Sequence, residues 1–296
     1  MSKNETSAKI ILDSISPDGK RITTFQLRFP RMVLAEFNTH RVISKNASSS
    51  RAIPVMKNAQ MIMENPFIPE FTKNQKGMMA NEKFDNETQK RAEIIWEEML
   101  KFNYEKCLEL ANLGVSKQYA NRPLECFSYV SDVATATDFD NFFELRIHEA
   151  AQPEIRLLAS MMKQELQKSI PTSRIVHLPY VSDEELMKHS IVDCVKISVA
   201  RCARVSYLNH EGKKSTLQED KGLYDRLVKS RPIHASPSEH QAVSGNPSKR
   251  YKNFDGWVQY RYCVEKSVGM ISGKDVEAIK RWEDILLDEP AKLKNS

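Results

Sequence analysis

Glycine is scarce in this chain, 9 residues in 296, about half the usual ~7%. The sequence has neither G-x-G-x-x-G nor G-x-x-x-x-G-K-[ST], so any nucleotide is held without a Rossmann fingerprint or a P-loop. Cys107, Cys126, Cys194, Cys202 and Cys263 are scattered with no C-x-x-C spacing, which indicates neither structural zinc nor a disulfide framework. No apolar run approaches the roughly 20 residues of a membrane span. The first residues, "MSKNETSAK", are polar, and the expected location is cytoplasmic. Charge is nearly balanced, 44 Lys+Arg against 39 Asp+Glu, with no interleaved basic and aromatic stripe. A nucleic-acid partner is therefore not expected, and small phosphorylated ligands suit the balance better.

What is present is an ordinary globular composition, 41% hydrophobic and 28% charged, long enough to bury a sizeable core. "KIILDSI" and "RITTFQLRF" read as strands around the turn "SPDGK", with Phe25, Leu27 and Phe29 on one face. Pro30 opens a short helix, "RMVLAEFN", that delivers Thr39, His40 and Arg41 at its end. Residues 52–83 read as a long loop with short helical pieces. Asp85 to Leu113 is the clearest helix, with an apolar stripe through Ala92, Ile95, Met99 and Leu108 and Gly114 as terminator. Further helices are expected over "PEIRLLASMMKQELQKS", "TLQEDKGLYDRLVKS" and "KDVEAIKRWEDILL", with an apolar segment "IVDCVKISVARCARVSY" and a strand "GWVQYRYCVE" between them. The expected fold class is α/β (α+β).

Three polar constellations stand out. "EFNTHRVISKNASSSRAIP" sets one histidine, two arginines and four serines after an apolar segment. A solvated loop holds such residues cheaply; arginine forks among hydroxyls also make an anion site. "TATDFDNFFELRIHEAAQPEIR" places Asn141 and Arg146 around a Phe-Phe pair, although arginines at a helix entrance are more often solvated or paired with glutamate. "HASPSEH" carries two histidines six apart. It lacks a third ligand for zinc, so no metal is expected, and no G-x-S-x-G elbow marks a serine hydrolase.

Together these segments resemble the flavin-dependent thymidylate synthases (ThyX). "HRVISKNASSSR" is similar to the family's R-H-R-x7-S, "NFFELRIHEAAQPEIR" to N-F-x-x-L-R…A-Q-x-E-I, "ARCARVSY" to A-A-R-V-S-[FY], and "HASPSEH" to H-x-[ST]-P-[FY]-E-H. The similarity covers about residues 20–55, 114–165 and 196–242. It implies one catalytic domain over 1–296, a mixed sheet with long helices, and a C-terminal extension over 244–296 of unknown role. In the family the last two segments precede R-H-R. Here they follow it, which implies a circular permutation that brings "HASPSEH" beside "THR" in space.

The resemblance implies non-covalent FAD at His40, Arg41, Val42, Asn141, Thr135, Thr137, Ser206, His234, Ser236 and Glu239. It implies a pyrimidine nucleotide at Glu36, Thr39, Ala47, Ser49, Ser50, Arg51 and Arg122 (or Asn121), with Arg146 catalytic. The implied reaction is reductive methylation of dUMP to dTMP with methylenetetrahydrofolate and NADPH, in a homotetramer. A pyrimidine-nucleotide hydroxymethylase acting on dUMP or dCMP and a non-catalytic flavin- or nucleotide-binding relative are the alternatives. Five positions depart from the pattern: Thr135 and Thr137 stand where the family has an asparagine and an arginine on FAD, Thr39 replaces an arginine, Glu36 a glutamine and Ala47 a glutamate. A carboxylate beside a dianionic ligand has two resolutions. Arg28, Arg31 or Arg261 pairs Glu36, or Glu36 faces the base and accepts from the amine of cytosine.

Overall fold

The computed structural model describes residues 5–76, 78–205, 213–270 and 275–287. The first half runs β1 (Ser7–Ile15), β2 (Arg21–Pro30), α1 (Leu34–Asn38), β3 (Ser44–Ala47), α2 (Val55–Glu64), α3 (Asn86–Asn112), α4 (Lys117–Ala120), β4 (Tyr129–Ala136), α5 (Asp140–Ile147) and α6 (Pro153–Lys168). The second half runs β5 (Thr172–Ser173), β6 (Val176–His177), α7 (Asp183–Lys188), α8 (Ile191–Arg204), α9 (Leu217–Val228), β7 (Ala242–Ser244), β8 (Arg250–Tyr251), β9 (Phe254–Asp255), β10 (Trp257–Gln259), α10 (Arg261–Lys266) and α11 (Val276–Leu287).

The β1–β2 hairpin closes through Gly19, whose φ of +79° suits a residue without Cβ. β2 then becomes the centre of a five-stranded sheet ordered β3-β4-β2-β1-β5. Alternation does the sorting. Phe25, Leu27 and Phe29 pack with Val130 and Ala134 of β4 against Phe142, Ile155, Leu158 and Met162 of α5 and α6. A second core gathers Leu178, Val195, Val199, Val258, Trp282 and Ile285 between the small sheet β10-β7-β6 and helices α8, α9 and α11. Its elements from β7 onward come from residues 242–287.

Three expectations are corrected in detail. Residues 52–83 contain a full helix, α2, besides irregular chain. Helix α3 is capped by Asp85, which accepts from Thr88 N at 2.8 Å, but Ile95 and Met99 are 51% and 47% exposed. The face turned inward carries Trp96, Leu100, Tyr104, Cys107 and Leu108, because the Trp96 indole has the larger area to bury and donates to Phe67 O at 2.9 Å. The strand in "GWVQYRYCVE" ends at Gln259, and α10 follows, supported by an Arg261–Glu265 pair one turn apart at 2.6 Å.

The two halves are joined through the other face of β2. There a buried chain of hydrogen bonds runs Ser14 Oγ–Nδ1 His177 Nε2–Oγ1 Thr24–Oγ1 Thr135–Nδ1 His240, each link 2.7–2.9 Å. Ser14, Thr24, Thr135, His177 and His240 are all 0% exposed. One consistent assignment has Ser14 donate to His177, His177 to Thr24, Thr24 to Thr135 and Thr135 to His240. It needs both imidazoles neutral, and burial pushes each down to about 3.

Two outcomes follow from this chain. Thr135→Val, which keeps the shape and removes the central hydroxyl, should cost about 1–3 kcal/mol in urea unfolding; an unchanged midpoint contradicts the chain. In the unfolded protein these histidines bind protons near 6.5, in the fold near 3. Between those values the unfolded state binds more protons, so stability rises with pH. Glu185, lowered to about 2, acts in the same sense but below pH 4.5; buried Asp132, raised to about 7, opposes within the window. Urea midpoints should climb from pH 4.5 to 6.5, and a falling profile contradicts the assignment.

Candidate functional site

Helix α5 buries Phe142 and Phe143. Arg146 follows Phe142 by one turn, so the two share a face of the helix. Phe142 meets the Phe37 ring of α1 at 5.5 Å and the His40 imidazole at 4.9 Å, both edge to face. This packing lays the Arg146 guanidinium on the polar end of α1. Its Nε donates to His40 Nε2 at 2.8 Å, Nη2 to Thr39 Oγ1 at 3.3 Å, and Nη1 lies 3.5 Å from Glu36 Oε2. Residues 106 to 110 positions apart thereby form one cluster. The partner of Glu36 is Arg146 and not Arg28, Arg31 or Arg261. Arg28 pairs with Glu5, Arg31 donates to Ser48 O, and Arg261 pairs with Glu239 and Glu265.

His40 accepts on Nε2, which places its proton on Nδ1 and requires the neutral form. Burial, then the charges of Arg146 and Lys45, bring its pKa down to about 4. Lys45 donates to His40 O and sits 5.3 Å over the Phe37 ring; burial lowers its amine to about 8. The cluster opens on a cleft of about 710 Å³ whose lining includes Glu36, Arg146, Glu154, Met32, Phe71 and Trp96.

The serine end of the same segment is arranged differently. Ser49 and Arg51 are exposed, and Arg51 makes no hydrogen bond or ion pair with the described residues. Ser50 is buried and donates to Glu125 Oε1 at 2.6 Å, and Arg122 donates to both oxygens of that carboxylate at 2.8 and 2.9 Å. Glu125 thus occupies donors expected to face a phosphate. Asn121 Nδ2 donates to Ser50 O and Ile53 O at 2.8 and 3.0 Å, fixing the turn.

The Ser236–Glu239 turn packs on β3 and α8. Ser236 Oγ donates to Asn46 Oδ1 at 3.3 Å, and Asn46 Nδ2 donates to Cys202 O at 2.9 Å. Arg41, Asn141 and His234 are exposed, while Val42 packs against the aromatic core. Three residues expected at a cofactor have partners within the chain. Thr135 is fully buried in the hydroxyl–imidazole chain. Thr137 Oγ1 accepts from Asp255 N at 2.9 Å, and the Glu239 carboxylate is held by Arg261. Ala47 packs at the edge of the first core. Ser206 lies outside the described residues. Glu125, Lys45 and Asn46 escaped the sequence reading; Lys45 and Asn46 sit inside the polar run, but Glu125 has no local signal. Among the described residues no group of three or more His, Cys, Asp or Glu side chains is placed to hold a metal ion.

By nuclear magnetic resonance, the His40 imidazole should titrate near pH 4. In Arg146→Ala the midpoint should rise, because one cause is gone, yet stay below 6.5, because burial persists. A wild-type midpoint near 6.5 contradicts the geometry.

Residues 21–172, slightly more than half of the chain, match the family described as thymidylate synthase complementing protein (Thy1). No curated protein sequence matches the chain. Among solved structures it is similar to the UMP/dUMP methylase PolB from Streptomyces cacaoi bound with 5-Br UMP, at 16% identity over 56% of this chain and 90% of that one, TM-score 0.48. The same enzyme bound with 5-Br dUMP gives 16% identity, 56% and 91% coverage and a TM-score of 0.47. The family match spans β2, β3, β4 and both sides of the Arg146–His40 contact, and the chain belongs to the thymidylate synthase complementing protein family.

Proposed function

We propose that the protein transfers a one-carbon unit to C5 of a pyrimidine nucleotide in a flavin-dependent reaction, in the family's form the reductive methylation of dUMP to dTMP. The observation that carries this reading is the Arg146 guanidinium, held by neutral His40 at the end of an aromatic-lined cleft. The carbon donor would be methylenetetrahydrofolate and the electron donor NADPH. A bound flavin, once reduced by NADPH, would supply the hydride, which removes the need for a nucleophilic cysteine. The donor set fits such a group. Arg41 and Asn141 are exposed, with no side-chain hydrogen bond to the described residues, and His40, Val42, His234 and Ser236 complete the set.

Arg146 acts on the pyrimidine by presenting donors where negative charge develops on the ring. His40 orients it through Nε, leaving the Nη pair to face the ring. Ser49 and Arg51 supply free donors for the phosphate, and Arg122 joins them if Glu125 gives way. The order of the segments fits a circular permutation. The Ser236–Glu239 turn meets β3 across 190 residues of chain. The half-exposed side of α3, with Ile94, Ile95, Met99 and Phe102, offers an apolar face to a second copy, consistent with a homotetramer. Transfer of a hydroxymethyl group within the same chemistry is the second reading, and the mass of the product separates the two.

Three measurements test the reading. The purified protein should show flavin absorbance, and Arg41→Ala should reduce flavin retention without altering the circular dichroism spectrum. Deuterium should be lost from C5-labelled nucleotide in the presence of folate and reduced flavin, and Arg146→Ala should slow that loss by roughly 10²–10³-fold. Absence of label loss with every pyrimidine nucleotide leaves the reading without support. Sedimentation should give an oligomer that Ile95→Lys weakens.

A further inference from the structure

The reading of the cleft as a pyrimidine-nucleotide site leaves the base undetermined, and the rim of the cleft bears on that choice. Glu36 Oε2 stands 3.5 Å from Arg146 Nη1, Nη2 lies 3.3 Å from Thr39 Oγ1, and Nε is engaged by His40. Each Nη carries two protons. The contacts to Glu36 and Thr39 use one from each nitrogen, so one N–H per nitrogen remains for a ligand. The Glu36 side chain is 39% exposed and keeps acceptor capacity beyond this single long contact. Both residues line the cleft. Along the rim the order is therefore acceptor, donor, donor: the Glu36 carboxylate, then Nη1, then Nη2.

The pairing edge of cytosine presents the complement in the same order: the exocyclic amine donates, ring nitrogen N3 accepts, and the C2 carbonyl accepts. Uracil presents acceptor, donor, acceptor, which sets its ring N–H against a guanidinium N–H. Loss of that proton gives three acceptors and a negative ring facing the Glu36 carboxylate. Glu154 adds a second carboxylate to the lining, and Glu70 is paired with Lys83. Arg146 is the arginine that neutralises Glu36, so the pair belongs to the site and shows both members to the ligand.

We propose that Glu36 is the base-selecting residue and that, among the pyrimidine nucleotides the proposed reaction admits, this site prefers an aminopyrimidine nucleotide, a cytosine 5′-phosphate read jointly by Glu36 and Arg146, to the uracil nucleotide of the family's form. The proposal rests on the nucleotide reading of the cleft. Glu36→Gln tests it, because the amide can turn an N–H toward the ligand and change the rim from acceptor, donor, donor to three donors.

The experiment is calorimetric titration of the full-length protein with dCMP and with dUMP, in the wild type, Glu36→Gln and Glu36→Ala. The wild type should bind dCMP about 10-fold more tightly than dUMP, and Glu36→Gln should shift that ratio toward dUMP by about 10-fold or more. Glu36→Ala should lose the preference without acquiring the reverse one, which guards against a folding defect in either variant. A wild type that prefers dUMP or binds both alike overturns the proposal, as does a ratio that neither substitution moves; either result leaves the nucleotide reading standing. Failure of the wild type to bind any pyrimidine nucleotide overturns the nucleotide reading, and this proposal with it.

Discussion

The hydroxyl–imidazole chain from Ser14 to His240 is the interaction on which the arrangement of the molecule depends. Two sheets with separate hydrophobic cores meet across the polar face of β2, where Thr24 and Thr135 stand opposite each other as cross-strand partners. Apolar contact alone leaves such an interface free to slide. A fully buried series of hydrogen bonds does not, because displacement by one residue leaves several donors and acceptors unpaired at once. His177 comes from β6 and His240 from the end of the "HASPSEH" turn. The chain therefore sets the position of that turn against β3, and through Ser236 and Asn46 it reaches the edge of the candidate site.

β3 is the element where structure and proposed chemistry meet. It is four residues long, at the edge of the five-stranded sheet, yet each of its residues has a task. Ser44 accepts from Gln259, Lys45 holds the His40 carbonyl, Asn46 joins the Ser236 turn to the end of α8, and Ala47 packs against the first core. The segment on its N-terminal side supplies Glu36, Thr39 and His40; the one on its C-terminal side supplies the serines. In the proposed reading a single stretch of chain meets two ends of one ligand, with Arg146 added from α5.

The neutral state of His40 follows from its surroundings. An imidazolium would lie buried beside a guanidinium and an ammonium, so the ring stays uncharged and accepts from Arg146. Glu36 then determines what that guanidinium offers outward. One carboxylate at 3.5 Å compensates the charge and adds an acceptor beside two donors. A substitution of one atom type at position 36 thus alters the hydrogen-bonding pattern of the rim without altering the fold.

Much of this was determined by the sequence alone. The period-two face Phe25, Leu27, Phe29, the hairpin turn, the capped helix α3 and the helices α6, α9 and α11 follow from local pattern, which is written in neighbouring residues. The resemblance of the motif segments implied that Arg146, His40 and the serine run share a site; the fold brings Arg146 to His40 and holds Ser50 on Glu125. The tertiary structure decided the rest. Which side of α3 is buried depended on what lies across from Trp96. Thr135 became a core residue through its contact with His240, 105 positions away, and Glu125 entered the serine cluster from 75 positions away. That Arg146 pairs Glu36 depended on the Phe142–Phe37 packing. Partners brought together by long-range packing leave no periodic trace in the chain, and for buried and ionised groups it is the partner that fixes the chemistry.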